Sequence, residues 1–273
     1  MKWMSALLLC FMSAFCLSSV YGANLVSIFD QEHEVFHWPL PHEGDVTLHQ
    51  SGEFQIVAVY IPNDTSTLSV HKIEKKGTAE SLYAPLVKKN TLVIASGGFF
   101  GFKLNGKEQP LGLVRSNGKR LVNLIPWDHG GVLVSDQNGH AKVIPASNRN
   151  QAGAWSDALQ SKPIIINSGK VDVAKNLRDA EFNRVAIGFT REGDILLVGT
   201  FQTFGQAATL VDFAEVYKRI AEDRGLQIHR ALAMDGGAGA QITLPTLKRR
   251  FGDTGRSYFP NAMRIDSKLG GIN

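Results

Sequence analysis

The sequence predicts an α+β fold: strand-rich mixed sheets with a few packed helices, in a single domain. Three observations carry this. Short apolar runs bounded by turn residues recur along the chain, one segment has a strong helical apolar stripe, and strands and helices do not alternate regularly as a doubly wound sheet requires. With 273 residues and 44% hydrophobic side chains the chain can bury a sizeable core, and no linker-like segment divides it.

The elements follow in order. MKWMSALLLCFMSAFCLSSVYG places Lys2 before an apolar stretch and small residues near Gly22, which predicts a secretory signal peptide over 1–22, a domain over 23–273, and a periplasmic or secreted protein. The run Trp3 to Leu17 is short for a bilayer span and carries Ser5 and Ser13, so no stable span is expected after cleavage. Cys10 and Cys16 both lie inside this segment, which leaves residues 23–273 without a disulfide, a thiol nucleophile or a cysteine metal site.

HEVFH, His33 to His37, matches H-E-x-x-H, but Pro39 and Pro41 would break the helix that aligns two imidazoles on zinc; an early strand is expected instead. FQIVAVYI and TLSVHKI read as strands, Ala79 to Lys88 as a weak helix despite Pro85, and TLVIASG as a strand. In GLVRSNGKR, Asn117-Gly118 is a hairpin turn; the phosphate-loop spacing and the Ser/Thr after Lys119 are missing. GVLVSD and AKVIP form a hairpin through Asn138-Gly139, and a short helix is expected around Ala154 to Leu159. KPIIINSG is a strand, and RVAIGF pairs with DILLVGTF through Glu192-Gly193-Asp194. TLVDFAEVYKRIAEDRG is the clearest helix: Leu210, Phe213, Ala214, Tyr217 and Ile220 share a face, Thr209 and Asp212 suit its start, and Gly225 its end. ALAM and QITL, on either side of Asp235-Gly236-Gly237, read as strands.

Several functions are excluded on residues. Lys248, Arg249 and Arg250 are the only dense basic cluster on a chain of net charge +4, too little for a nucleic-acid surface. GGAGAQ lacks the third glycine and the following helix of a dinucleotide fingerprint. There is no G-x-S-x-G elbow. No cofactor or metal is therefore expected, and nothing indicates an oligomeric state.

Asp235 has two readings. Asp followed by Gly-Gly is ordinary turn chemistry. An acid at the tip of a core strand, beside glycines that let backbone approach a ligand, is also a common way to build a site.

Taken together, the segments SGGFF (Ser96 to Phe100) with PLGLVRSNGK, LQSKPIIINSGK (Leu159 to Lys170), NRVAIGFTREGDILLV (from Asn183), AMDGGAGAQ and RSYFPNAM (from Arg256) resemble the phosphodiester glycosidase family, in family order, from about Thr91 to Ile265. The departures are Ser96 where Asn is usual, Lys162 for Gly, and Gly239 and Gln241 for Ser and Thr. The resemblance implies hydrolysis of a sugar-1-phosphodiester at the anomeric carbon, with a carbohydrate phosphodiester as partner. It implies Arg184 as the phosphate ligand through two parallel hydrogen bonds, and Asp235 as nucleophile, base or charge stabiliser. Glycosidases usually employ two carboxylates, and Glu108 is the candidate second one, a solvated loop acid being its other reading. The implied substrate-binding set is Gly97, Gly98, Phe99, Phe100, Gln160, Ser161, Gly236, Gly237, Arg256 and Asn261; Phe99 and Phe100 read either as a sugar platform or, for at least one of them, as core packing. The altered residues at 96, 239 and 241 leave a non-catalytic binder of glycan or phosphopolymer as the competing class.

Overall fold

A computed structural model of the chain describes residues 25–102, 108–202, 207–252 and 260–268; the expected signal peptide and Arg256 lie outside these residues. The strands are β1 Glu34–Pro39, β2 Asp45–Ser51, β3 Phe54–Ile61, β4 Ser66–Lys72, β5 Thr91–Ser96, β6 Phe100–Phe102, β7 Glu108–Pro110, β8 Val114–Ser116, β9 Lys119–Val122 and β10 Gly131–Ser135. They continue as β11 Ala141–Pro145, β12 Asp157–Ser161, β13 Ile164–Asn167, β14 Lys170–Val171, β15 Arg184–Thr190, β16 Ile195–Phe201, β17 Ile228–Ala233, β18 Gln241–Leu244, β19 Arg249–Gly252 and β20 Asn261–Ser267. Helices α1, Ala79–Tyr83, and α2, Leu210–Asp223, complete the α+β arrangement with several 3-10 turns.

The largest sheet has eight strands in the order β1-β2-β3-β16-β15-β17-β13-β14. Two five-stranded sheets, β19-β18-β5-β20-β4 and β11-β10-β12-β8-β9, and the β6-β7 ribbon make up the rest. Where mixed sheets were expected, every described pairing is antiparallel, and several of them are hairpins with short connections. α2 covers one face of the large sheet: Phe213, Ala214, Tyr217 and Ile220 pack on Ile56, Ala58, Ala186 and Val198. The other face, through Val57, Ile187, Leu197 and Leu232, packs on Val93, Leu133, Leu159, Ile242 and Met263 of the two smaller sheets. Being covered on both sides, β16 is buried along its whole length and so carries an unbroken apolar run.

Local chemistry sets the element ends. Thr209 caps α2 by accepting from Asp212 N at 3.2 Å, and Gly225 at φ +68° follows its end. Asn117 and Gly118 both take positive φ in the β8–β9 turn. Pro85 confines the expected helix at Ala79–Lys88 to Ala79–Tyr83, after which the chain tightens into a 3-10 turn at Ala84–Leu86. The helix expected at Ala154–Leu159 is not formed. A 3-10 stretch ends at Ala154, and Asp157–Ser161 is a fully buried strand between β10 and β8, where sheet pairing overrides local propensity. HEVFH is extended, as expected, within β1 and the residue before it. His33 and His37 are therefore about 13 Å apart along an extended chain, bonded to His49 and Thr47 respectively.

Histidines tie the fold to pH, His71 and His49 most strongly. Burial, with Arg264 nearby, pushes His71 down to about 4, and burial beside His33 and His37 does the same to His49. Their folded pKa lies below the unfolded value of 6.5, so on acidification the unfolded chain takes up these protons first. Stability is complete above about pH 6.5 and falls towards pH 4. Urea midpoints measured between pH 7.5 and 4.5 should drop, and the drop should be smaller in His71→Gln. An equal drop in that variant would assign the pH dependence elsewhere.

Candidate active site

Strand ends from all three large sheets meet at one place. β5 is wholly buried and ends at Ser96, which aligns with Ala262 of β20. The chain then passes through Gly97 and Gly98. Gly97 N donates to Asn261 O at 3.2 Å, Asn261 Nδ2 donates to Gly98 O at 3.3 Å, and Gly97 O accepts from Asp235 N at 2.8 Å. The last bond joins the end of β17 to the end of β5. A third strand end abuts the glycines, because a Cβ on Gly98 would stand 2.5 Å from Gln160 O in β12. A Cβ on Gly97 would overlap Asn261 Oδ1. These glycines are required by close approach.

Asp235 begins the turn that follows β17, and β15 frames it. Met234 N donates to Val185 O and Gly237 N to Asn183 O, both at 2.8 Å. Asp235 is buried, the residue 9% exposed, and its Oδ2 fills the space a Cβ on Gly239 would need. The Ser of the family signature at that position would displace this carboxylate.

Arg184 opens β15 beside the same turn. Nε donates to Ala208 O at 3.1 Å, Nη2 donates to Ala180 O at 2.9 Å and pairs with Asp179, and the guanidinium lies 5.2 Å from the centre of the Phe182 ring. Nη1 makes no hydrogen bond to the described residues and stands 3.9 Å from the Cβ position of Gly236. Burial pulls its pKa down from the usual arginine value, and Asp179 opposes that shift. The fork expected to bind phosphate through two parallel bonds thus has Nη2 already engaged, and Nη1 is the edge it presents.

The other expected residues fall into groups. Gly236 and Gly237 lie in the Asp235 turn, and Phe99 and Phe100 are half-buried just past the glycine pair. Phe99 O accepts from Leu111 N, which closes the β6–β7 ribbon. Gln160 is in a structural role: its Oε1 accepts from Leu113 N and Ile125 N, and its Nε2 donates to Ile125 O. The Ser161 hydroxyl donates to Ala233 O at 2.6 Å. Glu108 opens β7 with its carboxylate 3.1 Å from Lys76 Nζ and its side chain 17% exposed, so it is no solvated loop acid. Among the described residues no group of three or more His, Cys, Asp or Glu is placed to hold a metal ion.

Three residues beside the site escaped the sequence reading. Asn183 is buried, accepts from Gln202 N through Oδ1, and leaves Nδ2 without a partner among the described residues. Thr200, opposite Arg184 on β16, is buried with its hydroxyl likewise unpartnered. Asp179 is the third. Asn261 Oδ1 is also buried and unpartnered. Buried polar atoms left open cost stability, and Asn183 and Asn261 border the Asp235 turn and the glycine pair, where ligand hydroxyls or water can satisfy them. No motif or spacing marks Thr200 or Asp179 in the sequence, and Asn183 enters it only as the first residue of the NRVAIGF segment.

Comparison with known proteins adds to this geometry. The phosphodiester glycosidase family model matches residues 89–264. No curated protein matches. Among solved structures, the chain is similar to the zebrafish N-acetylglucosamine-1-phosphodiester alpha-N-acetylglucosaminidase catalytic domain auto-inhibited by pro-peptide, with TM-score 0.58 and 14% identity over 87% of this chain and 82% of that one. It is similar to a hypothetical protein from Synechocystis at TM-score 0.58 and 14% identity, covering 87% of this chain and 64% of that one. A putative exported protein from Burkholderia pseudomallei matches at TM-score 0.54 and 12% identity, over 82% and 75%. At these identities the likeness is one of fold.

Proposed function

We propose that this chain, which belongs to the phosphodiester glycosidase family, hydrolyses a sugar-1-phosphodiester at the anomeric carbon, in the cell envelope or outside the cell. The supporting observation is the open Nη1 edge of Arg184 beside Gly236, next in sequence to the Asp235 carboxylate. The reaction breaks the bond between the anomeric carbon and the phosphate oxygen. Positive charge develops on the sugar and negative charge on a leaving phosphomonoester whose second pKa is about 6, so little acid assistance is needed. Asp235 faces the first charge as nucleophile, base or stabiliser; Arg184 faces the second. Asn183 and Asn261 offer a buried donor and a buried acceptor for substrate hydroxyls.

The test is release of reducing sugar from nitrophenyl-type phosphodiesters of several sugars by purified protein. Binding of such compounds with no release would favour the second reading, a non-catalytic glycan or phosphopolymer binder. That reading draws support from the Asp235 carboxylate folded over Gly239.

Arg184→Lys should weaken phosphomonoester binding about tenfold, the value of one charge-assisted hydrogen bond. Lysine keeps the charge but cannot hold Ala208 O, Ala180 O and Asp179 while presenting a free edge. Titration calorimetry with the product decides this, and parent-like affinity would remove Arg184 from the phosphate.

A further inference from the structure

The Asp179 carboxylate lies where two positive features converge. Its Oδ2 pairs with Arg184 Nη2 and also accepts the backbone N–H of Leu210, the first residue of α2, at 3.1 Å. α2 is fourteen residues long and already has Thr209 as its side-chain cap, so Asp179 is not needed to start the helix. It comes from the segment joining β14 to β15, and its side chain is 25% exposed against 14% for Arg184. The effect is to set one negative charge against the guanidinium and the positive end of the helix, beside the edge of Arg184 that faces the Asp235 turn.

From this geometry we infer that Asp179 sets the affinity of the site for phosphate, keeping it low so that the product leaves. The inference rests on the reading that Arg184 contacts the phosphate. A phosphodiester substrate carries one negative charge, whereas the phosphomonoester product carries about 1.5 to 2 at pH 7. An uncompensated guanidinium next to a helix N-terminus favours the more highly charged species, and would hold product in preference to substrate. Asp179 offsets that field, so the additional charge of the product gains little. Asp179 acts through Arg184 and touches neither reacting atom. It is a positioning and charge-balancing residue.

Asp179→Asn removes the charge and retains an oxygen that can accept from Arg184 and Leu210. Calorimetry of the full chain with inorganic phosphate at pH 8 and low salt is the direct test, since it needs no turnover. Asp179→Asn should bind phosphate about fivefold more tightly than the parent, the scale of one partly exposed ion pair. The gain should shrink as salt is added. Asp179→Glu, which keeps the charge, should stay within about twofold of the parent on the same reasoning. Where hydrolysis is followed, Asp179→Asn should lower KM and kcat together, because product release slows. Should Asp179→Asn fail to show the parent's unfolding transition, Asp179→Ser provides the second uncharged variant and must shift in the same direction. Equal or weaker phosphate binding in a folded uncharged variant overturns the inference while leaving the hydrolase reading intact. Absence of phosphate binding in parent and variants alike overturns the phosphate role of Arg184, and this inference with it.

Discussion

Gly98→Ala is expected to lower the free energy of unfolding by about 1–3 kcal/mol, the usual cost of forcing an extra carbon into a packed interior. The new methyl would stand 2.5 Å from the backbone oxygen of Gln160. That oxygen cannot easily retreat, because β12 lies between β10 and β8 and the Gln160 side chain is fixed to Leu113 and Ile125. Gly98 does not have a left-handed φ, so the penalty comes from crowding and not from backbone strain. Relief must come from moving the glycine pair away from β12, which pulls on the bond from Asp235 N to Gly97 O. Stability and hydrolysis should therefore fall together. Gly153→Ala, with nothing within 4 Å of the added carbon, is the control and should leave the urea midpoint nearly unchanged. If Gly98→Ala matches that control, the strand ends of β5 and β12 do not close on each other as described.

The parts of the fold that read clearly from sequence are those whose local signals agree with their surroundings. α2 carries its apolar face, its cap and its terminating glycine within one segment, and β15–β16 join two apolar runs across a turn. β20 was invisible for a physical reason. NAMRIDS contains Arg264 and Asp266, which look like surface charges, yet both are buried; Arg264 bonds Asp266 and Leu86 O, and Asp266 accepts from Thr91. An internally paired ion pair erases the apolar pattern of a central strand. β12 was misread because its five residues are held by neighbours distant in sequence. In the site, Asp235 and the glycine pairs stood out as a charge and missing side chains among apolar runs. Asn183, Thr200 and Asp179 did not, because they become relevant only through the contact of β15, β16 and the start of α2, and no spacing along the chain records it.

Asp235→Asn is expected to reduce hydrolysis of a sugar-1-phosphodiester at least about a hundredfold, the lower end of what positioned acid–base or electrostatic groups contribute, with the unfolding midpoint little changed. The structure separates the two roles this residue can have. Its backbone N–H holds the β17 end to Gly97 O at 2.8 Å, and Asn keeps that bond. An amide matches the carboxylate in size, so it fills the space beside Gly239 and preserves any local turn bond. What it loses is the negative charge and the nucleophilic oxygen, on which the proposed reaction depends. Arg184 remains held by Ala208, Ala180 and Asp179, none of which involves Asp235, so product affinity should stay near that of the parent while kcat collapses. The measurements are the hydrolysis rate, phosphomonoester binding and the urea midpoint, on both proteins. Near-parent turnover with an unchanged midpoint would falsify the catalytic reading and return Asp235 to a turn residue. Loss of both turnover and midpoint would mean that the Asp235 carboxylate holds the turn after β17 in place.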